Sequence, residues 1–332
     1  MPRITRIRIG RARRALIALA TVAVAALAAG CGSSDTSSSR TTSAKKSLEI
    51  GIITFSTSDV ITNRLVADMT KDAKGRGWKV QFVDGNADAA KANSAIRTLV
   101  TKGVDAIVVT VFDSKALSAG LAVAQQRKVP VLSIGGGLAP GVVFSTDDGM
   151  GEPMAEKLLA DIGGRGTVLH LAFHPGLSCR QRAQAFDRMV KSKPEIDVTE
   201  HEIQIPGAAQ VSKSFTLAWL AAKQKARGKL AIFNCYDDNA LGAIAALKQA
   251  GRKDVGVYSF DATDPALQAI KEGWMTATLW LDLAYAGSEA IASIPKVLEA
   301  GAAWKPREIP LKYDIVTKDN VADFERKHAS DG

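Results

Sequence analysis

Residues 229–262 read KLAIFNCYDDNALGAIAALKQAGRKDVGVYSFDA and parse as one strand–helix–strand unit. Residues 230–233 are a short apolar run of strand length. Asp237 and Asp238 stand where a helix cap belongs, because a short carboxylate accepts from the free backbone N–H groups of a first turn. Leu241, Ile244, Ala245 and Leu247 follow at helical spacing, and Gly251 supplies a left-handed stop. Residues 255–260 form the second strand and Asp261 closes it. A crossover between parallel strands is right-handed, so Tyr236, Asp237 and Asp261 emerge at one carboxyl edge of a sheet. Open parallel sheets bind ligands along that edge.

Working outward, the same alternation fills the chain. Strands are expected at 48–55, 79–83, 105–111 and 131–134, with helices at 60–74 and 89–101 and a helix start at Asp113-Ser114. The first strand ends in the polar turn Ser56-Thr57-Ser58-Asp59, the fourth in Gly135-Gly136-Gly137. The pattern then restarts. Thr146-Asp147-Asp148-Gly149 caps a helix running to 159, a strand covers 166–173, and Ser178-Cys179-Arg180 opens a helix. A strand at 198–205 and a helix at 209–225 lead into the unit quoted first; a helix at 266–271 and extended segments at 276–281 and 309–317 follow it. Such alternation predicts an α/β fold with two doubly wound parallel-sheet lobes.

Residues 1–30 are read as a leader rather than as part of the fold. Six arginines precede a short apolar run, 15–29, and small residues then meet Cys31. That arrangement resembles a bacterial lipoprotein signal with Cys31 as the lipidated N-terminus; Arg13-Arg14 leaves a twin-arginine export route open. Residues 31–47 are nearly all small, polar or charged and are read as a disordered tether. Removing the leader's six arginines from the net charge of +9 leaves +3, too little for nucleic acid to be a partner. The remaining 302 residues exceed what one core usually organises. Cys179 and Cys235 could form a disulfide in an oxidising envelope, but the reading favours two separate small buried residues. No Cys/His spacing suggests a metal site, and no cofactor motif is present: neither a G-x-G-x-x-G after the first strand nor a Walker loop occurs.

Three short motifs in this order carry a resemblance: Arg180-Gln181-Arg182 ahead of Phe186, Ala240-Leu241-Gly242-Ala243 after the aspartate pair, and Phe260-Asp261 at a strand end. Over 48 to about 318 the chain resembles the ribose-binding-protein family of periplasmic sugar-binding proteins, whose type I fold closes two lobes on a solute across three crossings. The resemblance implies one lobe from 48–146 with 282–311 and another from 147–281 with 312–330. It implies ligand-binding roles for Asp261 and Arg180, and places Tyr236 and Ser58, with Asp59 beside it, where the family has asparagines. Departures accompany it. Ile61 and Thr62 replace the stacking aromatics, Gly135-Gly136 replaces an Asp-Arg pair, and Leu281, beside Trp280, replaces an amide.

Each candidate has a plainer alternative. Asp261 could cap a helix at Asp264-Pro265, and Arg180 could be a surface arginine; a strand-end carboxylate facing a cleft favours the ligand role for the first, and acidic neighbours on one edge favour it for the second. Tyr236 stands between pocket wall and packing, Asp237 is read as a helix cap, Gly136 as backbone approach to a ligand or a mere turn, and Trp280 as a ring platform or a buried hinge residue. His170, His174 and His201 receive no role. The resulting expectation is a monomeric, membrane-anchored solute receptor of an ABC importer, not an enzyme, handing a carbohydrate or polyol to a permease. A sensory receptor of the same fold is the alternative; a LacI-type regulator core would need a helix-turn-helix where the leader and tether lie.

Overall fold

The computed structural model describes residues 47–225 and 228–328; the leader, Cys31 and the tether up to residue 46 lie outside the described residues. The first eight elements are β1 (Glu49–Thr54), α1 (Val60–Gly75), β2 (Lys79–Asp84), α2 (Ala89–Lys102), β3 (Ala106–Thr110), α3 (Ser118–Gln126), β4 (Val131–Ile134) and β5 (Val142–Asp147). Next come α4 (Gly151–Asp161), β6 (Gly166–Ala172), α5 (Leu177–Val190), β7 (Ile196–Glu202), α6 (Ala208–Ala222), β8 (Lys229–Asn234), α7 (Asp237–Ala250), β9 (Gly256–Phe260), α8 (Asp264–Lys271) and β10 (Ala277–Leu281). The last are α9 (Leu283–Ala300), β11 (Arg307–Pro310), β12 (Tyr313–Thr317) and α10 (Val321–Lys327).

Two six-stranded sheets result, in the orders β11-β5-β4-β3-β1-β2 and β12-β10-β9-β8-β6-β7. All pairings are parallel except β12, which runs antiparallel to β10 at an edge. Helices cover both faces of each sheet, so central strands are apolar without alternation: all seven residues of β6 and all five of β3 are buried. In each sheet the strand order reverses beside the first strand, between β1 and β3 and between β6 and β8. Crevices at the carboxyl ends of strands open where the order reverses.

Three segments pass between the sheets: 148–150 after β5, Asp282 after β10, and 311–312 after β11. The Asp282 N–H donates to the Lys312 carbonyl at 3.0 Å, tying two crossings together. α9 returns the chain to the first lobe by packing on α1, where Gly287 lets the backbones approach; a Cβ there would lie 2.9 Å from Leu65. α1 presents Leu65, Val66, Met69 and Ala73 as its buried face, and each large aliphatic side chain buried there stabilises the fold by about 1.5–3 kcal/mol.

Three local expectations need correction. Residues 309–317 are not one extended segment but two strands in different sheets, split at Leu311-Lys312 because the chain changes lobe there. Asp237 does not cap α7; Tyr236 is the N-cap, and the fully buried Asp237 carboxylate accepts from the Thr263 N–H and the hydroxyls of Thr263 and Thr278. Cys179 and Cys235 are bonded to one another, with Cα atoms 5.2 Å apart, because the start of α5 lies over the end of β8. Gly251 does end α7 in a left-handed conformation, φ 65°.

Candidate functional site

The two reversal points face each other. From the first sheet come Phe55 and Asp59 after β1, Val111 after β3 and Ile134 at the end of β4; from the second come Phe173, Ser178 and Cys179 after β6 and Tyr236 after β8. With Ile61, Leu65, Asp148, Arg182, Ile205 and Asp261 they enclose a chamber of about 70 Å³, the space of a handful of waters. The first lobe provides an apolar wall with one carboxylate, Asp59, which also caps α1 by accepting from the Thr62 N–H at 2.8 Å.

Arg182 is the central cation. It is only 5 % exposed, and its guanidinium donates to the carbonyls of Cys235 at 2.8 Å and Asp148 at 3.1 Å. Its central carbon lies over the Phe260 ring, 4.3 Å from the centroid, and it approaches the Asp261 carboxylate at 3.9 Å. Two backbone carbonyls and an aromatic face thus fix its position before any ligand arrives. Among the described residues its Nε finds no hydrogen-bond partner.

Asp261 is delivered by an unusual turn. Both Asp261 (φ 106°) and Ala262 (φ 51°) have left-handed backbone conformations that side-chain-bearing residues rarely adopt. The turn is braced from beneath: the Asp261 N–H donates to Leu279, the Ala262 N–H to the Thr278 hydroxyl, and the Thr263 N–H to Asp237. Asp237 is therefore a support for the residue that meets the chamber.

Burial among like charges raises the carboxyl groups. It pushes Asp148 up to about 6, against the pull of Arg182. Asp261 lies well above the usual range, raised by burial and then by Asp237, Asp59 and Asp238, with Arg182 opposing. Burial also raises Asp59 and Asp238, and it raises the Tyr236 phenol with help from Asp59, Asp238 and Asp261.

The structure brings Asp261, Asp59 and Tyr236 together in the chamber and moves the other candidates elsewhere. Arg180 is not in its lining. Its guanidinium meets Asp113 of the first lobe and the His174 carbonyl, forming a clasp across the rim. The Ser178 hydroxyl crosses the same rim to Gly135, and Phe112 bridges to Gly176. Gly136 also lines no part of the chamber: a Cβ there would sit 2.1 Å from the Phe112 carbonyl, so close backbone packing demands the glycine. Ser58 bonds Ser56 and stands with Asp59, Tyr236 and Asp238 at one mouth. Trp280 lines an adjoining outer pocket of about 230 Å³ that shares Ile61, Leu65, Asp261, Leu281 and Leu283 with the chamber, and it packs against Phe324 and His328. His170 pairs with Glu200, His174 with Glu202, and His201 stacks on Phe215. His170, Asp187 and Glu200 bring ligand atoms within 4.8 Å of one another, away from the chamber lining.

Arg182 and Asp148 are what sequence reasoning missed. In a helix two positions differ by about 200°, so only one arginine of Arg180-Gln181-Arg182 can face inward, and the exact helix start decides which. Asp148 reads as a cap in sequence, yet it lies in the first crossing, ahead of α4, which starts at Gly151.

A profile of the periplasmic binding protein domain matches residues 50–302. The ribose import binding protein RbsB of Bacillus subtilis is 29% identical over 276 residues, covering 81% of this chain and 88% of that protein. A xylitol-binding protein of Mycolicibacterium smegmatis is 26% identical over 251 residues, covering 73% of this chain and 68% of that protein. An ABC transporter solute binding protein from Agrobacterium vitis, solved with bound allitol, superposes with a TM-score of 0.77 at 26% identity, over 85% of this chain and 99% of that one. No helix among the described residues is long and apolar enough to cross a membrane. The chain therefore belongs to the periplasmic binding protein domain family: it is a solute-binding protein related to the ribose-binding proteins, and not an enzyme.

Proposed function

We propose that this protein is the lipid-anchored receptor of an ABC importer and binds a small sugar or polyol in the chamber between its lobes. The observation that carries the reading is the enclosure of Arg182, Asp261, Asp59 and Asp148 between the strand ends of both sheets. Carboxylates and a guanidinium fixed in this way suit a ring or chain of hydroxyl groups, each of which both donates and accepts. The apolar wall of Phe55, Ile61, Val111 and Ile134 suits the C–H side of such a molecule. Relatives named for ribose and xylitol, and a structure solved with allitol, support the same class.

Binding to both lobes favours the closed form by the contacts that form only on closure. Ser178 to Gly135 and Arg180 to Asp113 are such contacts, and they would fix the surface presented to a permease. Lipidation at Cys31 would hold the domain at the membrane through a tether of small and polar residues. Isothermal calorimetry against pentoses, pentitols, hexitols and inositols tests the ligand class; a ligand of ordinary strength for such a site binds near ~1 μM. Silence across the whole panel would remove the reading. Mass spectrometry of the protein from its native membrane tests Cys31, with an unmodified thiol as the contrary result.

A further inference from the structure

We propose that the chamber is built for a polyhydroxylated solute carrying a protonated amine, a cationic member of the sugar and polyol class rather than a neutral one. The inference rests on the receptor reading above and narrows it.

The charges do not balance. Asp59, Asp148 and Asp261 line the chamber, and Asp238 stands at its mouth beside Asp59 and Tyr236. Among the described residues lining the chamber, Arg182 is the one cation. It faces Asp59, Asp148 and Asp261 together. Nor does it satisfy them: its hydrogen bonds go to the carbonyls of Cys235 and Asp148, and its approach to Asp261, 3.9 Å, is longer than a hydrogen bond. Among the described residues no donor bonds the Asp261 carboxylate, and Arg180 is paired with Asp113 instead.

Burying several carboxylates with one guanidinium is unfavourable unless protons or another cation enter. A neutral polyol supplies hydroxyl donors but no charge. An ammonium group supplies a charge and three donors, and bonds from it to carboxylates are roughly twice as strong as neutral ones. The same charges exclude sugar acids and sugar phosphates. The position of Asp59, Asp148 and Asp261 around Arg182 assigns the hydroxyl groups to the guanidinium and the amine to the carboxylate side. Burial among like charges, which raises Asp148 and Asp261, is the tension such a guest relieves.

The test uses the full chain and matched pairs at pH 7: ribose, xylitol, glucose and myo-inositol, each against its amino-deoxy counterpart, measured by calorimetry. The expected result is that, in the pair the chamber accepts, the amine binds at least tenfold tighter. Asp59→Asn and Asp148→Asn, which keep side-chain shape, should each cost the amine several-fold more affinity than its neutral counterpart. A neutral member binding as tightly as its amine, or tighter, overturns the charge inference and leaves the receptor reading standing. No binding by either member of any pair overturns the receptor reading, and this inference with it. Unchanged preference in both asparagine variants overturns the assignment of the amine to the carboxylate side.

Discussion

The two walls of the chamber are made by the same device, the reversal point of a parallel sheet, yet they differ in chemistry. The first lobe contributes Phe55, Ile61, Val111 and Ile134 with a single carboxylate, Asp59. The second contributes Arg182, Tyr236 and Asp261, underpinned by Asp237 and by the Cys179–Cys235 bond. Topology fixes where the walls stand and says nothing of their polarity. The difference suggests a division of labour: the second lobe orients the solute by hydrogen bonds, and the first closes over it by excluding water.

Breaking the polar wall should have the largest effect. Arg182→Met leaves buried carboxylates without their cation, a change of about 3–5 kcal/mol where a buried pair loses one member. Calorimetry should find no binding, and denaturant unfolding should show the loss of stability; retained affinity would make Arg182 a bystander. Replacing Cys179 and Cys235 together by serine should lower stability by up to about 4 kcal/mol on the chain-entropy account, because the two are 56 positions apart in the sequence. The second wall should also hold Arg182 less firmly, since Cys235 supplies one of its acceptor carbonyls. Affinity should fall in a variant that still folds; a fully stable, fully binding double serine would detach the bond from both roles.

The acid pair Asp148 and Asp237 sharpens the comparison through pH. Both are raised from 3.8 to about 6, Asp148 by burial and Asp237 by burial against its hydrogen bonds from Thr263 and Thr278. Below the unfolded value both states hold the proton. Between about 4 and 6 the unfolded chain releases it and the folded chain keeps it, so stability falls as pH rises through that window and then levels. Each group accounts for at most about 3 kcal/mol by this measure. Melting temperatures of the unliganded protein should therefore decline from pH 4 to 6, and Asp148→Asn should flatten part of the slope. A melting temperature that rises throughout that window would contradict it.

The smallest effects belong to the apolar wall and the clasp. Ile61→Ala should weaken binding by about 1 kcal/mol from lost apolar contact, with little change in specificity. Arg180→Ala opens a part-buried pair at the rim and should change affinity by about 1 kcal/mol, chiefly by disfavouring closure. A loss as large as that of Arg182→Met would return Arg180 to the site itself.

Most elements were legible because both faces of each sheet are covered: strands read as unbroken apolar runs and helices as amphipathic stretches between them. β5 and α9 were not. The end of β5 and the start of the crossing, Thr146-Asp147-Asp148, together look like a helix cap, and Pro295 interrupts the pattern of α9, although the helix continues through it on packing against α1. The break at Leu311-Lys312 was hidden because a chain that changes sheets can stay extended throughout.

By itself, then, the sequence determined the class of the fold, the doubling of its lobes and the strand-end position of Asp261, since apolar periodicity and turn chemistry are local properties. Only the tertiary structure decided that Arg182 rather than Arg180 enters the chamber, that Asp237 braces a turn, that Asp148 becomes a buried acid, and that Cys179 meets Cys235. Those outcomes depend on helix register to within one residue and on which strand ends face each other across two sheets. Neither quantity is carried by any one segment of the chain.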